Sequence, residues 1–287
     1  MNSDFPSIAI LGGGLLGGSL ALALGGLENP PCVRLWARKP ETVEEAHAIG
    51  IPGATADLAT AIDSARLIVL AVPVGAMADL VEKVLEIGIP GGCLITDVGS
   101  VKRGPHRSIP PLLVGTGHFF IGSHPMAGSE RNGLSAVSAS LFHNAACLLT
   151  NDECSPAPLA AALENFWKSI GCRTAWMSAA IHDSLVARIS HLPHVLAASA
   201  ARICLKDHQE GRFGGGGLRD TTRVAAGNPS MWAEIVMENR EAIIAPLRES
   251  IADLQEILGH LENDDQEQAQ TWLLTAKQRR DPMNSFS

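Results

Sequence analysis

A basic excess is missing from this chain. Lys and Arg number 22 against 30 Asp and Glu, a net charge of −8 with His neutral, and the isoelectric point lies near 5.7. Nucleic-acid binding needs a basic face, so no nucleic-acid partner is expected. An anionic substrate is not excluded, because a few buried arginines set the local field whatever the total charge. Paired cysteine spacing is missing too. The six Cys, at 32, 93, 147, 154, 172 and 204, form no C-x-x-C pair. They read as the reduced thiols of a cytoplasmic protein rather than as a disulfide frame or a zinc site, and no metal is expected. The apolar stretch from Ile8 to Leu24 holds six Gly or Ser residues, and Asp4 rather than Lys or Arg precedes it. It is short for a membrane span and wrongly flanked for a secretory leader, so no membrane association is expected. What the chain does have is apolar mass. Hydrophobic residues make up 46% and charged residues 18% of 287 positions, which allows a substantial core in one large domain or two ordinary ones.

Ile8-Ala-Ile-Leu11 is a short apolar run of the kind found in buried parallel strands. Glycines follow at once, then a helical stretch from Leu15 to Leu24 that Gly25-Gly26 ends. Further strands are expected at 33–37, 67–72, 93–97, 119–122, 146–150 and 173–177, with helices at 42–49, 57–62 and 76–86. Strands alternating with helices imply a parallel, doubly wound sheet. From His182 onward the strand signal fades, and helices are expected over 183–207, 229–263 and 265–280. The fold class is therefore α/β: a doubly wound dinucleotide-binding (Rossmann-type) domain over 1–178, then an all-α domain over 179–287. Leu247, Ile251, Leu254, Leu258 and Leu261 step by 4, 3, 4, 3 along the second of these helices. That seam packs either inside one chain or between two copies as a homodimer interface.

Gly12-x-Gly14-x-x-Gly17 stands between the first strand and the first helix. Gly12 allows a tight turn, Gly14 lets the backbone approach a pyrophosphate, and Gly17 lets the helix pack close to the sheet. With Leu15 and Leu16 they place a helix N-terminus against phosphate charge. An acid at the tip of the second strand usually selects NAD by bonding the ribose 2′-hydroxyl. Here Val33-Arg-Leu-Trp-Ala-Arg-Lys39 ends in two cations. Arg38 and Lys39 suit a 2′-phosphate, which favours NADP, with NAD and an adenine-stacking Arg38 as the alternative.

Asp97-Val-Gly-Ser-Val-Lys102 follows a strand whose carboxyl end borders the ligand crevice. Ser100 there is open to two uses, a hydrogen bond to ligand or a helix N-cap. His124 lies in the glycine-flanked loop Gly122-Ser-His-Pro-Met-Ala-Gly-Ser-Glu130. Alcohol oxidation needs a group to take the hydroxyl proton, and histidine titrates near neutral pH. His191 and His194, in Ser190-His-Leu-Pro-His194, share a helix face, and Pro193 should kink that helix. Without a His-Glu-x-x-His pattern they suit a polar cleft rather than a metal. Arg219 and Arg223 flank Asp220 after a glycine run. Arginine is the natural bidentate partner of a carboxylate, though an ion pair with Asp220 is the plainer reading.

Taken in order, these five motifs resemble the prephenate/arogenate dehydrogenases of tyrosine synthesis, over nearly the whole chain. The resemblance implies a dinucleotide-binding domain followed by a helical dimerisation domain, and oxidative decarboxylation of a cyclohexadienol. It implies that His124 is catalytic, assisted by Ser100, that Arg223 holds the substrate carboxylate, and that Glu130, His194 and Asp220 are further polar site residues. The segment between Arg131 and Thr150 has no acid to meet the ammonium of arogenate, which favours prephenate, although Glu130 sits in the site loop. Other hydroxyacid dehydrogenases lack the His-Leu-Pro-His and Arg-Asp-Thr-Thr-Arg pair. A non-catalytic dinucleotide sensor has no use for His124, Ser100 and Arg223 together.

Overall fold

The computed structural model describes residues 4–128, 133–207 and 209–285. Its chain packs as two compact units, Met1–Asn239 and Arg240–Ser287. In the first unit a parallel sheet of β1 (Ser7–Leu11), β2 (Cys32–Trp36), β3 (Ala54–Thr55), β4 (Leu67–Leu70), β5 (Leu94–Asp97) and β6 (Phe119–Phe120) runs in the order β3-β2-β1-β4-β5-β6. Helices α1 (Leu15–Gly25), α2 (Pro40–Ala48), α3 (Leu58–Ile62), α4 (Met77–Ile87), α5 (Arg103–Ser108) and α6 (Pro110–Leu113) connect them.

The sheet is buried on both faces, which is why its strands are continuous apolar runs. Strand side chains alternate. Ile8, Ile10, Leu67 and Val69 join one core with Leu20 and Leu24 of α1 and with Trp167. Ala9, Leu11, Ile68 and Leu70 join the other with Ala61 and Ile62 of α3 and Met77, Leu80 and Val81 of α4. Each large side chain taken fully out of water stabilises the fold by roughly 1.5–3 kcal/mol. Strand order reverses between β1 and β4, so the turns after β1, β4 and β5 open at the switch point where such sheets bind ligands.

The expected sheet is not wholly parallel. A second sheet holds β7 (Gly122–Pro125), β8 (Ala146–Thr150) and β9 (Arg173–Trp176). β7 pairs antiparallel with β8, and β8 pairs parallel with β9. The run expected as one strand over 119–122 divides at Ile121, leaving β6 in one sheet and β7 in the other. His124 is thus on a strand, opposite Leu148, not on a loop. Beneath it α7 (Ala157–Ser169) contributes the buried Trp167. Its Nε1–H donates to Ser123 Oγ at 2.9 Å, and Ser123 Oγ lies 2.8 Å from Thr96 Oγ1 of β5. This pins the strand next to the catalytic candidate.

The helical remainder departs from expectation at three points. The helix expected over 183–207 is α8 (Ala179–Val186), a π turn (Ala187–His191) and α9 (Leu192–Cys204). Pro193 cannot donate to the carbonyl four residues back, and the π turn immediately before it absorbs the mismatch. The glycine run before Arg219 becomes helical at its second half: α10 (Gly216–Thr222) leads into a 3-10 turn (Arg223–Ala226). The helix expected over 229–263 is two, α11 (Pro229–Glu238) and α12 (Arg240–Glu262), parted at Asn239. In the second unit α12 packs on α13 (Gln266–Arg280). α12 exposes Ile251, Leu254, Leu258 and Leu261, each about half or more open. The seam therefore does not close inside its own unit. No helix among the described residues is long and apolar enough to cross a membrane.

Candidate active site

A cavity of about 760 Å³ opens at the switch point. One end is built by the glycine turn. Gly12 has φ +134°, and a Cβ there would lie 2.2 Å from the Ala71 carbonyl oxygen; one on Gly17 would lie 1.9 Å from that of Gly12. Strand, turn and helix therefore interlock only without side chains. Gly14 faces open space. It caps α1 with no side-chain bond and no acid in the first turn, so the N–H groups and the positive end of the helix dipole remain for an anion. This fits a dinucleotide pyrophosphate. Gly14, Leu15 and Leu16 line the cavity. Arg38 and Lys39 are exposed just beyond β2, and Lys39 stands before α2.

The floor is braced by a buried ion pair. Lys102 is fully buried. Its Nζ donates to Asp97 Oδ2 at 2.5 Å, to Gly99 O at 2.8 Å and to Val101 O at 3.1 Å. Asp97 also accepts from the N–H of Gly99 at 2.9 Å and of Ser123 at 3.2 Å. Removing either partner would strand a buried charge at a cost of about 3–5 kcal/mol. The brace fixes the loop bearing Ser100, which lines the cavity. The N-cap use of Ser100 is not realised, since α5 begins at Arg103 with Lys102 before it.

His124 also lines the cavity, and its tautomer follows from its neighbours. Asp183 Oδ1 lies 2.8 Å from His182 Nδ1 and accepts the Lys102 N–H at 2.7 Å, while Oδ2 accepts the Arg103 N–H at 3.0 Å. Burial alone would push the Asp183 carboxyl up, but these bonds hold it below the ordinary value, so it is a carboxylate. A carboxylate only accepts, hence His182 Nδ1 carries the hydrogen. Burial keeps His182 neutral against the opposing pull of Asp183. Its Nε2 is therefore a lone pair, and it accepts from His124 Nδ1–H at 2.9 Å. His124 is itself held well below the ordinary range, first by burial and then by the charge of Lys102. Its Nε2 is left as an unprotonated base.

The facing wall is helical. The π turn carries Ser190 and His191 into the cavity lining, α11 supplies Trp232, Glu234 and Glu238, and the turn after α10 supplies Arg223. His194 stacks on Trp232 with centroids 3.5 Å apart and rings 9° from parallel. Glu234 Oε1 accepts the N–H of Gly75, in the turn after β4, at 2.9 Å.

Of the residues singled out in the sequence, Gly14, Leu15, Leu16, Ser100, His124 and Arg223 thus share one cavity. Gly12 and Gly17 shape its turn, and His194 supports it through Trp232. Arg38, Lys39 and the exposed Asp220 are not among its lining residues. Glu130 lies outside the described residues. Lys102 closes its motif but was given no role there; His182, Asp183, Asn239 and the carboxylates Glu234 and Glu238 were missed, because no spacing marks residues that the fold joins to partners or to the cavity from far along the chain. Among the described residues no group of three or more His, Cys, Asp or Glu is arranged to hold a metal.

Two family models match this chain in tandem: prephenate dehydrogenase, nucleotide-binding domain, over residues 27–176, and prephenate dehydrogenase, dimerization domain, over residues 178–275. The chain belongs to the prephenate dehydrogenase family. It is a dehydrogenase of NAD(P) class whose helical part belongs to a dimerisation domain. It is 35% identical over 259 residues to cyclohexadienyl dehydrogenase of Zymomonas mobilis, covering 88% of this chain and 87% of that one. It is 33% identical to prephenate dehydrogenase of Bacillus subtilis, covering 98% of this chain and 77% of that one. The fold matches the solved prephenate dehydrogenase of A. aeolicus, a complex with hydroxyphenyl propionate and NAD+, at a TM-score of 0.87 and 24% identity, covering 99% of this chain and 98% of that one.

Proposed function

We propose that this dehydrogenase converts prephenate to 4-hydroxyphenylpyruvate with loss of CO2. The observation that carries the reading is a buried, neutral His124 whose Nδ1–H is engaged by His182, which leaves Nε2 as a base in the cavity beside the glycine turn. His124 Nε2 takes the proton of the 4-hydroxyl as the carbon beneath it is oxidised. The bound nicotinamide supplies the acceptor for the hydride that leaves that carbon. The bond to the ring carboxylate then breaks, its electron pair completes the aromatic ring, and His124 returns the proton to the phenolate oxygen. While His124 is charged, the Asp183 carboxylate stabilises it through His182. Ser100 donates to the reacting oxygen, and Arg223 clamps a carboxylate. The family resemblance adds His194, Asp220 and Glu130 as polar site residues.

Gly12, Gly14, Leu15, Leu16 and Gly17 hold the pyrophosphate. Arg38 and Lys39 favour NADP, because two exposed cations and no acid stand at the tip of β2. Residues 1–178 serve the nucleotide, and 179–287 serve dimerisation and substrate. The open α12 seam supports a homodimer, and six free cysteines support a cytoplasmic location. One observation favours arogenate as a second substrate: Glu234 and Glu238 line the cavity and offer carboxylates for an ammonium. Initial rates at 340 nm with prephenate and arogenate, each with NAD and NADP, decide substrate and cofactor. His124→Asn should lower kcat about 10²- to 10⁴-fold at unchanged cofactor affinity. Unchanged turnover would remove His124 from the mechanism.

A further inference from the structure

His191 stands in the cavity wall without an assigned task. It is fully buried, lies in the π turn and lines the cavity. Its Nδ1 is 3.0 Å from Asn239 Nδ2, and that same Nδ2 donates to the Asp183 carbonyl oxygen at 2.8 Å. A carbonyl oxygen only accepts, so the amide nitrogen of Asn239, not its oxygen, must face Asp183. The second hydrogen of that nitrogen then points to His191 Nδ1, which must accept it. A neutral ring with Nδ1 unprotonated carries its hydrogen on Nε2. Burial drives the ring down to about 4, with His182 and His194 adding to the shift and Asp183 opposing it, so the ring is neutral at pH 7. His191 Nε2 is buried and has no partner among the described residues. A buried donor left unbonded is costly, and a ligand acceptor relieves the cost.

We propose that His191 is a substrate-binding hydrogen-bond donor, fixed as the Nε2–H tautomer by Asn239 as a positioning residue, and that it takes a carbonyl or carboxylate oxygen of the substrate. One buried polar chain sets both cavity histidines in opposite senses. Through His182, Asp183 gives His124 a bare Nε2; through Asn239, the Asp183 carbonyl gives His191 a protonated one. The cavity therefore offers a base and a neutral donor on separate elements, β7 and the π turn. A donor-only edge rejects an ammonium, so the prephenate side chain or a carboxylate is its partner rather than the amino group of arogenate. The identity of that oxygen rests on the functional reading above; the tautomer does not.

Long-range proton–nitrogen spectra of the whole protein, labelled with 15N-histidine at pH 7, test the tautomers directly. The resonances lost in His191→Gln should show Nε2 protonated and Nδ1 bare, and those lost in His124→Asn the reverse. Asn239→Asp should move the hydrogen of His191 to Nδ1, where the new carboxylate accepts it. A His191 protonated on Nδ1 in the wild-type protein overturns the assignment. In kinetics, His191→Leu should raise the KM for prephenate about 10- to 100-fold with kcat little changed, and His191→Gln, which keeps an N–H, should recover most of that loss. Equal losses in the two variants, or none, refute the donor role. If neither prephenate nor arogenate is turned over, the functional reading fails while the spectra still decide the tautomer.

Discussion

Replacing Asp183 with Asn changes one oxygen for an NH2 at nearly constant shape, in a position that is buried and not among the cavity-lining residues. Three hydrogens point at its carboxylate, from His182 Nδ1 and the N–H groups of Lys102 and Arg103. An amide accepts on one side only. If its oxygen faces Arg103, the new NH2 meets His182, whose hydrogen must move to Nε2. His124 Nδ1 then becomes the acceptor, its own hydrogen moves to Nε2, and the base is gone. Inversion of a histidine tautomer by this substitution in a serine-protease triad lowers kcat about 10⁴-fold. If the amide turns the other way, the tautomers survive but the stabilising charge is lost, for which about 10²-fold is a fair expectation. The expected range of 10²- to 10⁴-fold corresponds to about 2.7–5.4 kcal/mol of barrier. KM should hardly move. Initial rates at 340 nm give kcat and KM. Urea unfolding run alongside should show a stability loss of about 1–3 kcal/mol from the stranded donor, which leaves the enzyme folded at 25 °C. A folded Asp183→Asn enzyme with kcat within threefold of wild type, or one that loses only in KM, would refute the tautomer argument.

Arg223→Ala should raise KM at least tenfold with a smaller fall in kcat, and Arg223→Lys should not restore it, because lysine lacks the planar fork; a kcat loss at constant KM counts against the clamp. Wild-type enzyme should show the lower KM for NADP, and Arg38→Asp should weaken NADP more than NAD; equal or better kcat/KM with NAD overturns the charge argument at the tip of β2. Light scattering should give about twice the chain mass of 30.2 kDa, and Leu254→Glu should halve it, whereas a wild-type monomer at micromolar concentration rules out the seam as an interface. Acid should destabilise the fold through His191, whose pKa falls from 6.5 unfolded to about 4 folded. The unfolded ring takes up a proton that the folded one refuses, so this stability is whole above pH 6.5 and is lost as pH falls toward 4. It amounts to about 3 kcal/mol, and urea midpoints between pH 7 and 4 should fall less steeply in His191→Gln; parallel slopes would show that His191 contributes nothing.

The nucleotide half was legible because its signals are local. A strand buried on both faces must be an apolar run, and a turn in which added Cβ atoms would strike backbone oxygens at Gly12 and Gly17 must be glycine; both facts are written within ten residues of each other. Helical periodicity likewise announced the α12 seam, which the fold leaves exposed. The catalytic arrangement was not legible in this way. His124 was found, but on the wrong kind of element, since nothing local says that the chain leaves one sheet at Ile121 and enters another. His182 and Asp183 look like ordinary polar residues of a helix, and Asn239 like the interior of a longer one. Hydrogen bonds join His182 to His124 and Asn239 to Asp183 across 58 and 56 positions. Such bonds depend on where the fold brings side chains, and periodicity records only which face of its own element a residue occupies. Local sequence was enough to set which residue types were at hand and where the nucleotide turn must lie. Which histidine nitrogen carries a proton is a property of the folded chain, because it depends on buried partners that meet nowhere else.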